Sequence, residues 1–302
     1  MNATISCHEL QQLIANGSVS LLDVLLPEDF ECRHIAGAGN ACVYEMVFLE
    51  RAGQCVPDLD RAVVVYDDSG LTQAARTARE KLVRAGYRNV AVLEGGLQAW
   101  REAGFALESG PPVPPAATAR DGAYSIDTEK SVIEWTGRNI NNRHYGRIAI
   151  ASGEIVLANG LPVTGRFVLD MATINNLDIQ DEGWRGMLHR HLGSEDFFDV
   201  EQFPTALFEL KGAAAIAGAT PGTPNVELAG ALTIKGTTRP LCFPAMVAPQ
   251  GDATLKAQAA IDLDRTLWGV CYGSGRLYER LGMHLVNDLI SIELFIVTQK
   301  AD

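Results

Sequence analysis

The sequence contains six cysteines, the residue type whose thiolate can act as a nucleophile, a redox centre or a metal ligand. They stand at positions 7, 32, 42, 55, 242 and 271, and none of them forms a CxxC pair. The spacing indicates neither a zinc knuckle nor a disulfide framework, so we expect free thiols. His189 and His191 have the i, i+2 spacing of some metal sites, but on a helix the two side chains point apart. The sequence therefore predicts no metal site.

Composition and motif content exclude several classes of protein. GxSxG, P-loop, HExxH and dinucleotide-binding patterns are absent, so we expect no cofactor. The 302 residues carry 25 Lys and Arg against 37 Asp and Glu, a net charge of −12, which disfavours nucleic acid and anionic membrane surfaces unless a local patch overrides it. No run of about 18 apolar residues and no secretory pattern is present, which predicts a cytoplasmic protein without an integral membrane segment.

A proline-rich stretch divides the chain. Four of the thirteen prolines fall between positions 111 and 115. Such prolines favour an extended, semi-rigid spacer, and we assign residues 109–122 to a linker. The sequence thus predicts two domains, residues 1–108 and residues 123–302.

The two parts differ in hydrophobic pattern. Before the linker, apolar runs such as Val63–Tyr66 and Asn89–Leu93 alternate with helix-period segments, one of them from about Leu71 to Ala85. This alternation predicts an α/β domain with a parallel sheet. After the linker, apolar residues recur with period two, as in residues 226–234, and only one helix is predicted, around Glu182 to Leu192. The second part is therefore predicted to be an antiparallel barrel or sandwich.

Four motifs stand out in the first part: Leu21–Val24, Pro27–Phe30, His34–Ala38 and Leu93–Trp100. In their order and spacing, residues 4–106 resemble a rhodanese domain. Active members of that family place a cysteine directly after the central strand. The corresponding loop of this chain is Asp67-Asp68-Ser69-Gly70-Leu71-Thr72. Asp67 thus stands at the place of the cysteine, and Thr72 where many members have an arginine.

The changed loop bears directly on activity. A carboxylate cannot accept sulfur, and Asp67 with Asp68 places negative charge in a pocket that otherwise attracts anions. We interpret both residues as caps of the helix that begins near Leu71. The first domain is therefore predicted to be catalytically inactive and to serve in interaction or regulation. The alternative is a sulfur-transfer or redox enzyme that uses a displaced cysteine, such as Cys32 or Cys42.

Six segments of the second part form a recognisable set: residues 124–127, 131–135, 191–200, 203–208, 230–240 and 264–270. On these segments, residues 123–300 resemble the YceI-like family. The resemblance implies an eight-stranded, lipocalin-like antiparallel barrel that holds a long amphiphile: a polyisoprenoid, an isoprenoid quinone or a fatty-acid derivative. The size of the inward side chains decides whether such a barrel is hollow or solid, and a cavity with a ligand is the favoured interpretation.

We predict that the chain is a binding or carrier protein for such a ligand. The candidate ligand-contacting residues are Phe167, Leu188, Phe198, Phe208, Gly230, Leu232 and Trp268, and Ala257 and Ala259 are further small inward positions. A polar set near the barrel mouth could anchor a head group, although a solvent-facing, salt-bridged turn is favoured; it comprises Asp181, Glu182, Arg185 and His191. A homodimer and an unidentified protein partner are both compatible with the sequence.

Overall fold

The computed structural model describes residues 3–112, 118–251 and 253–301. The chain forms two compact units, residues 1–115 and residues 116–302. Within the expected linker, residues 113–117 lie outside the described residues. Among the described residues, no helix has both the length and the apolar character needed to cross a bilayer.

The first unit is an α/β domain. Its strands are β1 (Thr4–Ile5), β2 (Val19–Asp23), β3 (Arg33–Ile35), β4 (Gly39–Asn40), β5 (Ala62–Tyr66), β6 (Asn89–Leu93) and β7 (Leu107–Ser109). Its helices are α1 (Cys7–Ala15), α2 (Pro27–Cys32), α3 (Phe48–Cys55), α4 (Ala74–Arg84) and α5 (Gly96–Glu102). A parallel sheet has the order β1-β6-β5-β2-β4, and β3 pairs with β7 in a separate antiparallel ribbon. The expected parallel sheet is confirmed.

The central strand β5 shows why this sheet forms. Val63 and Val65 pack into the core on one face, whereas Val64 and Tyr66 pack into the core on the other, and all four are fully buried. Because helices cover both faces, the strand is continuously apolar rather than alternating.

Helix α4 begins later than the sequence pattern predicts. The helix predicted from about Leu71 begins at Ala74, and Leu71 is 90% exposed in the loop before it. Gly70 has a φ of +69°, and a Cβ at this position would come within 2.7 Å of the backbone N of Gly95. This left-handed residue in close contact with the next loop keeps residues 67–73 out of a helix.

The second unit is a closed antiparallel barrel. Its strands are β8 (Gly122–Ile126), β9 (Val132–Arg138), β10 (Arg143–Ala158), β11 (Leu161–Asp170), β12 (Thr205–Ala215), β13 (Val226–Ile234), β14 (Thr237–Gln250), β15 (Thr254–Asp264) and β16 (Leu289–Lys300). Strands β8 and β9 both pair with β10 on one side and with β16 on the other. They are two pieces of one interrupted strand, so nine segments fill eight positions and the expected eight-stranded barrel is confirmed.

Ser131 bridges the interruption between β8 and β9. Its hydroxyl donates to the carbonyl oxygen of Val297 at 3.2 Å and accepts the N–H of Val297 at 2.9 Å. The N–H of Asp127 also donates to that carbonyl, at 2.9 Å. The backbone of β16 therefore keeps its hydrogen-bond partners where the opposite strand is broken.

One end of the barrel carries the long connections. We call it the helix end, and define it by residues 139–142, 171–204, 235–236 and 265–288, which join consecutive strands there. Helix α6 (Glu182–Gly193) lies in the second of these connections. Leu188 and Leu192 of α6 pack against Trp135 and Ile148, which lie on β9 and β10. The helix thereby covers apolar side chains at this end.

Candidate functional site

The barrel encloses an apolar cavity of about 150 Å³. Nine isoleucines, eight leucines and three phenylalanines account for most of its lining, which all eight strand positions supply. Inward and outward side chains alternate along each strand, and the inward ones meet around this space. The site can therefore hold an apolar chain.

Thr298 is the one polar residue among the described lining residues. Its hydroxyl accepts the N–H of Leu255 at 3.1 Å and faces the Leu255 carbonyl at 3.3 Å. The backbone of the neighbouring strand thus occupies this hydroxyl. A polar ligand group inside the cavity would lose its hydration without gaining a side-chain partner, at a cost of roughly 2 kcal/mol or more.

Three of the predicted ligand-contacting residues line the cavity: Phe167, Phe208 and Leu232. The Phe208 ring lies 6.1 Å from that of Phe167 and 5.6 Å from that of Phe243, centroid to centroid. Gly230 lies under the same ring, because a Cβ there would come within 2.6 Å of Cζ of Phe208. Glycine at this position makes room for the phenylalanine.

The other predicted residues lie outside the cavity lining. Trp268 is buried with Leu232 and Leu263, and its Nε1 donates to the Leu232 carbonyl at 2.9 Å. Leu188 and Phe198 belong to the apolar cluster at the helix end. Contact of these three residues with a ligand stays a prediction.

Comparison with known proteins agrees with this architecture. A family model for the YceI-like domain matches residues 124–298, which is more than half of the chain. The chain belongs to the YceI-like family. A second model, for the rhodanese-like domain, matches residues 6–103 and thus falls on the α/β unit. Both expected resemblances are confirmed.

Three similar proteins each match a part of the chain. The Mycobacterium tuberculosis protein SseB is 39% identical over 88 residues, which are 29% of this chain and 31% of that protein. A thiosulfate sulfurtransferase from Pseudomonas aeruginosa is 32% identical, with a TM-score of 0.33, over 36% of this chain and 20% of that one. A polyisoprenoid-binding domain from Saccharophagus degradans is 14% identical, with a TM-score of 0.46, over 59% of this chain and 98% of that one. This chain thus spans about a third of the length of the mycobacterial relative.

Sequence periodicity missed much of the cavity lining of the YceI-like barrel. Ile148 and Ile150 point inward on β10, but the register shifts between Ile150 and Ser152, after which Ile155 and Leu157 are the buried positions. A bulge of this kind moves the inward set from even to odd numbers. Strand β12 has a similar shift between Leu210 and Gly212. The spacing of isoleucines on either side of Ser152 is the signal that could have located the bulge in β10.

The polar set of the YceI-like domain does not converge on one point. Asp181 caps α6, with Oδ1 accepting the N–H of Trp184 at 2.8 Å. Arg185 lies 3.8 Å from Glu182, whose side chain is 91% exposed. His191 pairs with Asp196 at 3.3 Å instead. This arrangement fits a capped, solvent-facing turn.

The two histidines on α6 have separate partners. Nε2 of His189 accepts the N–H of Asn176 at 2.7 Å, whereas His191 packs edge-on against Phe197 and Tyr272. Within residues 3–112, 118–251 and 253–301, no group of three or more His, Cys, Asp or Glu has the arrangement of a metal site.

In the rhodanese-like domain, Asp67 organises the loop after β5. Its side chain is buried, with Oδ1 accepting the N–H of Gly70 at 2.6 Å and Oδ2 accepting the Thr72 hydroxyl at 2.7 Å and the Ala75 N–H at 3.4 Å. Asp67 thus reaches the first turn of α4 by spanning the loop. Asp68 makes no such bond; its side chain is 64% exposed and lies 3.9 Å from Arg33. The expectation that both aspartates cap a helix starting near Leu71 is therefore wrong for Asp68.

The start of α5 holds the same loop from the other side. The N–H of Leu97 donates to the carbonyl of Asp67 at 2.8 Å, and the N–H of Gln98 donates to the carbonyl of Asp68 at 2.7 Å. A Cβ at Gly96 would collide with the carbonyl oxygen of Asp67. The double glycine of the motif therefore allows direct packing of loop on helix terminus.

The two cysteines considered as displaced nucleophiles lie outside this loop. Cys42 follows β4 and is fully buried, and Cys32 ends α2 and is half-buried. Residues 67–73 contain no thiol.

Asp23 is the most perturbed carboxyl group of this domain. It is buried at the end of β2, where it accepts the N–H of Leu25 at 2.9 Å and the hydroxyl of Tyr66. Burial raises the pKa of Asp23 to about 6, although these two hydrogen bonds and His34 oppose the rise. The pKa of Tyr66 is raised in turn, first by burial and then by the Asp23 charge.

Proposed function

We propose that the barrel binds and carries one amphiphile with a long apolar chain, such as a polyisoprenoid, an isoprenoid quinone or a fatty-acid derivative. The observation that carries this proposal is the lining of the cavity, in which the one described hydroxyl is occupied by backbone. Removal of roughly 300 Å² of apolar chain from water would contribute about 7 kcal/mol before the cost of association. A head group would stay outside, because the interior offers it no partner.

In this proposal the rhodanese-like domain is not a sulfurtransferase and serves in interaction or regulation. Its support is the position of Asp67, whose carboxylate is buried and hydrogen-bonded where family members carry the nucleophile. Complete burial of Cys42 removes the access that sulfur transfer would need. Pairing of the chain with itself or with a protein partner stays a prediction.

The identity of a bound molecule is tested first by mass spectrometry. We expect the native mass to exceed the denatured mass by a few hundred daltons, and an organic extract to contain the molecule responsible. Equal masses, together with no uptake of added cis-parinaric acid, would contradict the carrier function.

A pair of substitutions on β15 tests the cavity itself. Ala257 lines the cavity, whereas Ala260 on the same strand is exposed on the outer face. We expect Ala257→Leu to lower the affinity for cis-parinaric acid about tenfold or more, because the added atoms occupy the space of the chain. Ala260→Leu should bind like the unaltered protein. Unchanged binding by a folded Ala257→Leu variant would place the ligand elsewhere.

A further inference from the structure

The barrel exposes its large apolar side chains at one end. Nine of the ten that are exposed among the described residues of this unit lie in or directly beside the connections of the helix end, and Val163 is the exception. Ile140, Trp184 and Met283 are 84%, 64% and 86% exposed. An even scatter of exposed apolar residues would need no explanation, but their concentration at one end does.

The connections that carry these side chains form one surface. The N–H of Asn287 donates to the carbonyl of Arg138 at 2.8 Å, which ties residues 265–288 to the β9–β10 hairpin. The rings of His191 and Tyr272 are 4.6 Å apart, and the Tyr272 hydroxyl lies 3.3 Å from Nδ1 of His284. These contacts link α6 to the same connection. We define the apolar rim as Ile140, Trp184, Met187, Leu277, Tyr278 and Met283.

The residue types of the rim fit a lipid surface. Tryptophan and tyrosine combine a large apolar ring with one polar atom, and both are enriched where membranes meet water. On α6, Trp184 and Met187 face outward, whereas Leu192 is buried against the barrel. The helix therefore has an apolar side that no described residue covers.

The charges around the rim select the kind of lipid. The four connections of the helix end together contain nine carboxylates against five arginines and Lys235. This excess of negative charge would repel anionic head groups. A surface of zwitterionic lipids carries no such penalty.

The cavity reaches the same end of the barrel. Met171, Ile234 and Ile290 belong to its lining and lie where strands β11, β13 and β16 meet the connections of the helix end. An apolar ligand of the kind proposed above resides in membranes, so the link between cavity and bilayer rests on the proposed function. The exposure of the rim side chains is independent of that function.

We propose that the apolar rim docks the barrel, helix end first, onto the surface of a bilayer of neutral, zwitterionic lipids. Association is driven by burial of rim side chains rather than by charge. It therefore persists when the salt concentration is raised and gains nothing from anionic lipid.

Flotation of the full chain with phosphatidylcholine vesicles tests this surface. We expect the protein to float with the vesicles. The double variant Trp184→Ser, Met283→Ser should have a partition coefficient lower by roughly tenfold or more, since two apolar anchors are lost. Val163→Ser is the matched control, an exposed apolar residue away from the helix end, and should float like the unaltered protein. No flotation, equal flotation of the double variant, or flotation that requires anionic lipid would overturn the proposal.

Binding of cis-parinaric acid in solution separates this proposal from the carrier function. The double variant should bind it normally, because neither residue lines the cavity. Uptake of the probe without flotation would overturn docking alone, whereas flotation without uptake would overturn the carrier function alone.

Discussion

The hydroxyl of Thr72 donates a 2.7 Å hydrogen bond to Oδ2 of Asp67. These are the two residues that the motif resemblance predicts to differ from an active rhodanese loop, and in the structure they are hydrogen-bonded to each other. Asp67 also accepts the N–H groups of Gly70 and Ala75. The buried side chain of Asp67 therefore holds this loop in place.

Removal of that carboxylate should destabilise the first unit. We expect Asp67→Ala to lower the free energy of unfolding by about 2 kcal/mol, because three donors lose their acceptor, one of them the buried N–H of Ala75. Asp68→Ala, one residue along and exposed, should change it by less than about 0.5 kcal/mol. Hydrogen exchange of peptides from residues 62–84 measures the change in stability for each of the two variants. Similar protection in the two variants would show that Asp67 has no special structural role.

Introduction of the cysteine and arginine expected from the rhodanese resemblance tests whether the loop can support sulfur transfer. The unaltered protein is expected to form no thiocyanate from thiosulfate and cyanide. Asp67→Cys combined with Thr72→Arg should form a measurable amount, since the backbone N–H groups of the loop would then face a thiolate. Asp67→Ser with Thr72→Arg is the control that lacks the sulfur. Activity of the unaltered protein would contradict the assignment of an inactive domain.

The buried Asp23 should make stability depend on pH. Its pKa is raised to about 6 in the folded chain, so between the ordinary value of 3.8 and pH 6 the folded state holds a proton that the unfolded state has lost. The stabilisation is complete below that ordinary value and is lost as the pH rises through 6, a change of about 3 kcal/mol. Asp23→Asn removes this contribution. The stability difference between the two proteins, measured by urea unfolding across this pH range, should therefore vary with pH. A constant difference would mean that Asp23 titrates normally.

Arg265 should be essential to the long connection between β15 and β16. It is buried and donates to the carbonyls of Val270, Asn287 and Val286 at 2.7, 3.0 and 3.1 Å. Arg265→Met leaves these acceptors unpaired and should cost about 3 kcal/mol or more. The half-exposed Arg276, paired with Asp264 at 3.1 Å, supplies the comparison, and Arg276→Met should cost less than about 1 kcal/mol. Thermal unfolding of the two variants measures which substitution costs more stability. Equal losses of stability would contradict the structural role of Arg265.

Sequence patterns predicted the fold because they are local. The four motifs of the first unit end strands or begin helices, and the alternation along β13 survives intact from Val226 to Ile234. The bulges in β10 and β12 limit this approach, because each reverses which residues face inward. The inward position of Gly230 follows from the alternation along β13, because the extra residue of the β12 bulge lies on β12 and the pairing of β13 with β14 has no shift.

Trp268 shows a different limit. Its size and apolar surface favour a cavity wall, but a buried indole N–H needs an acceptor. Nε1 of Trp268 donates to the Leu232 carbonyl, and Trp268 itself does not line the cavity. The connections of the helix end lay equally beyond prediction. Their course depends on contacts such as those of Arg265 with the carbonyls of Val286 and Asn287, which lie more than 20 positions away in sequence.

The bond between Ser131 and Val297 has a consequence for the order of events during synthesis. The two residues are 166 positions apart, and closure of the barrel joins the first strand to the last. On the ribosome, the α/β unit has all its strands long before Val297 emerges, whereas the barrel retains two unpaired edges until that point. A nascent chain paused before residue 289 would thus present one finished domain followed by an open sheet, the state in which this protein is most exposed to aggregation.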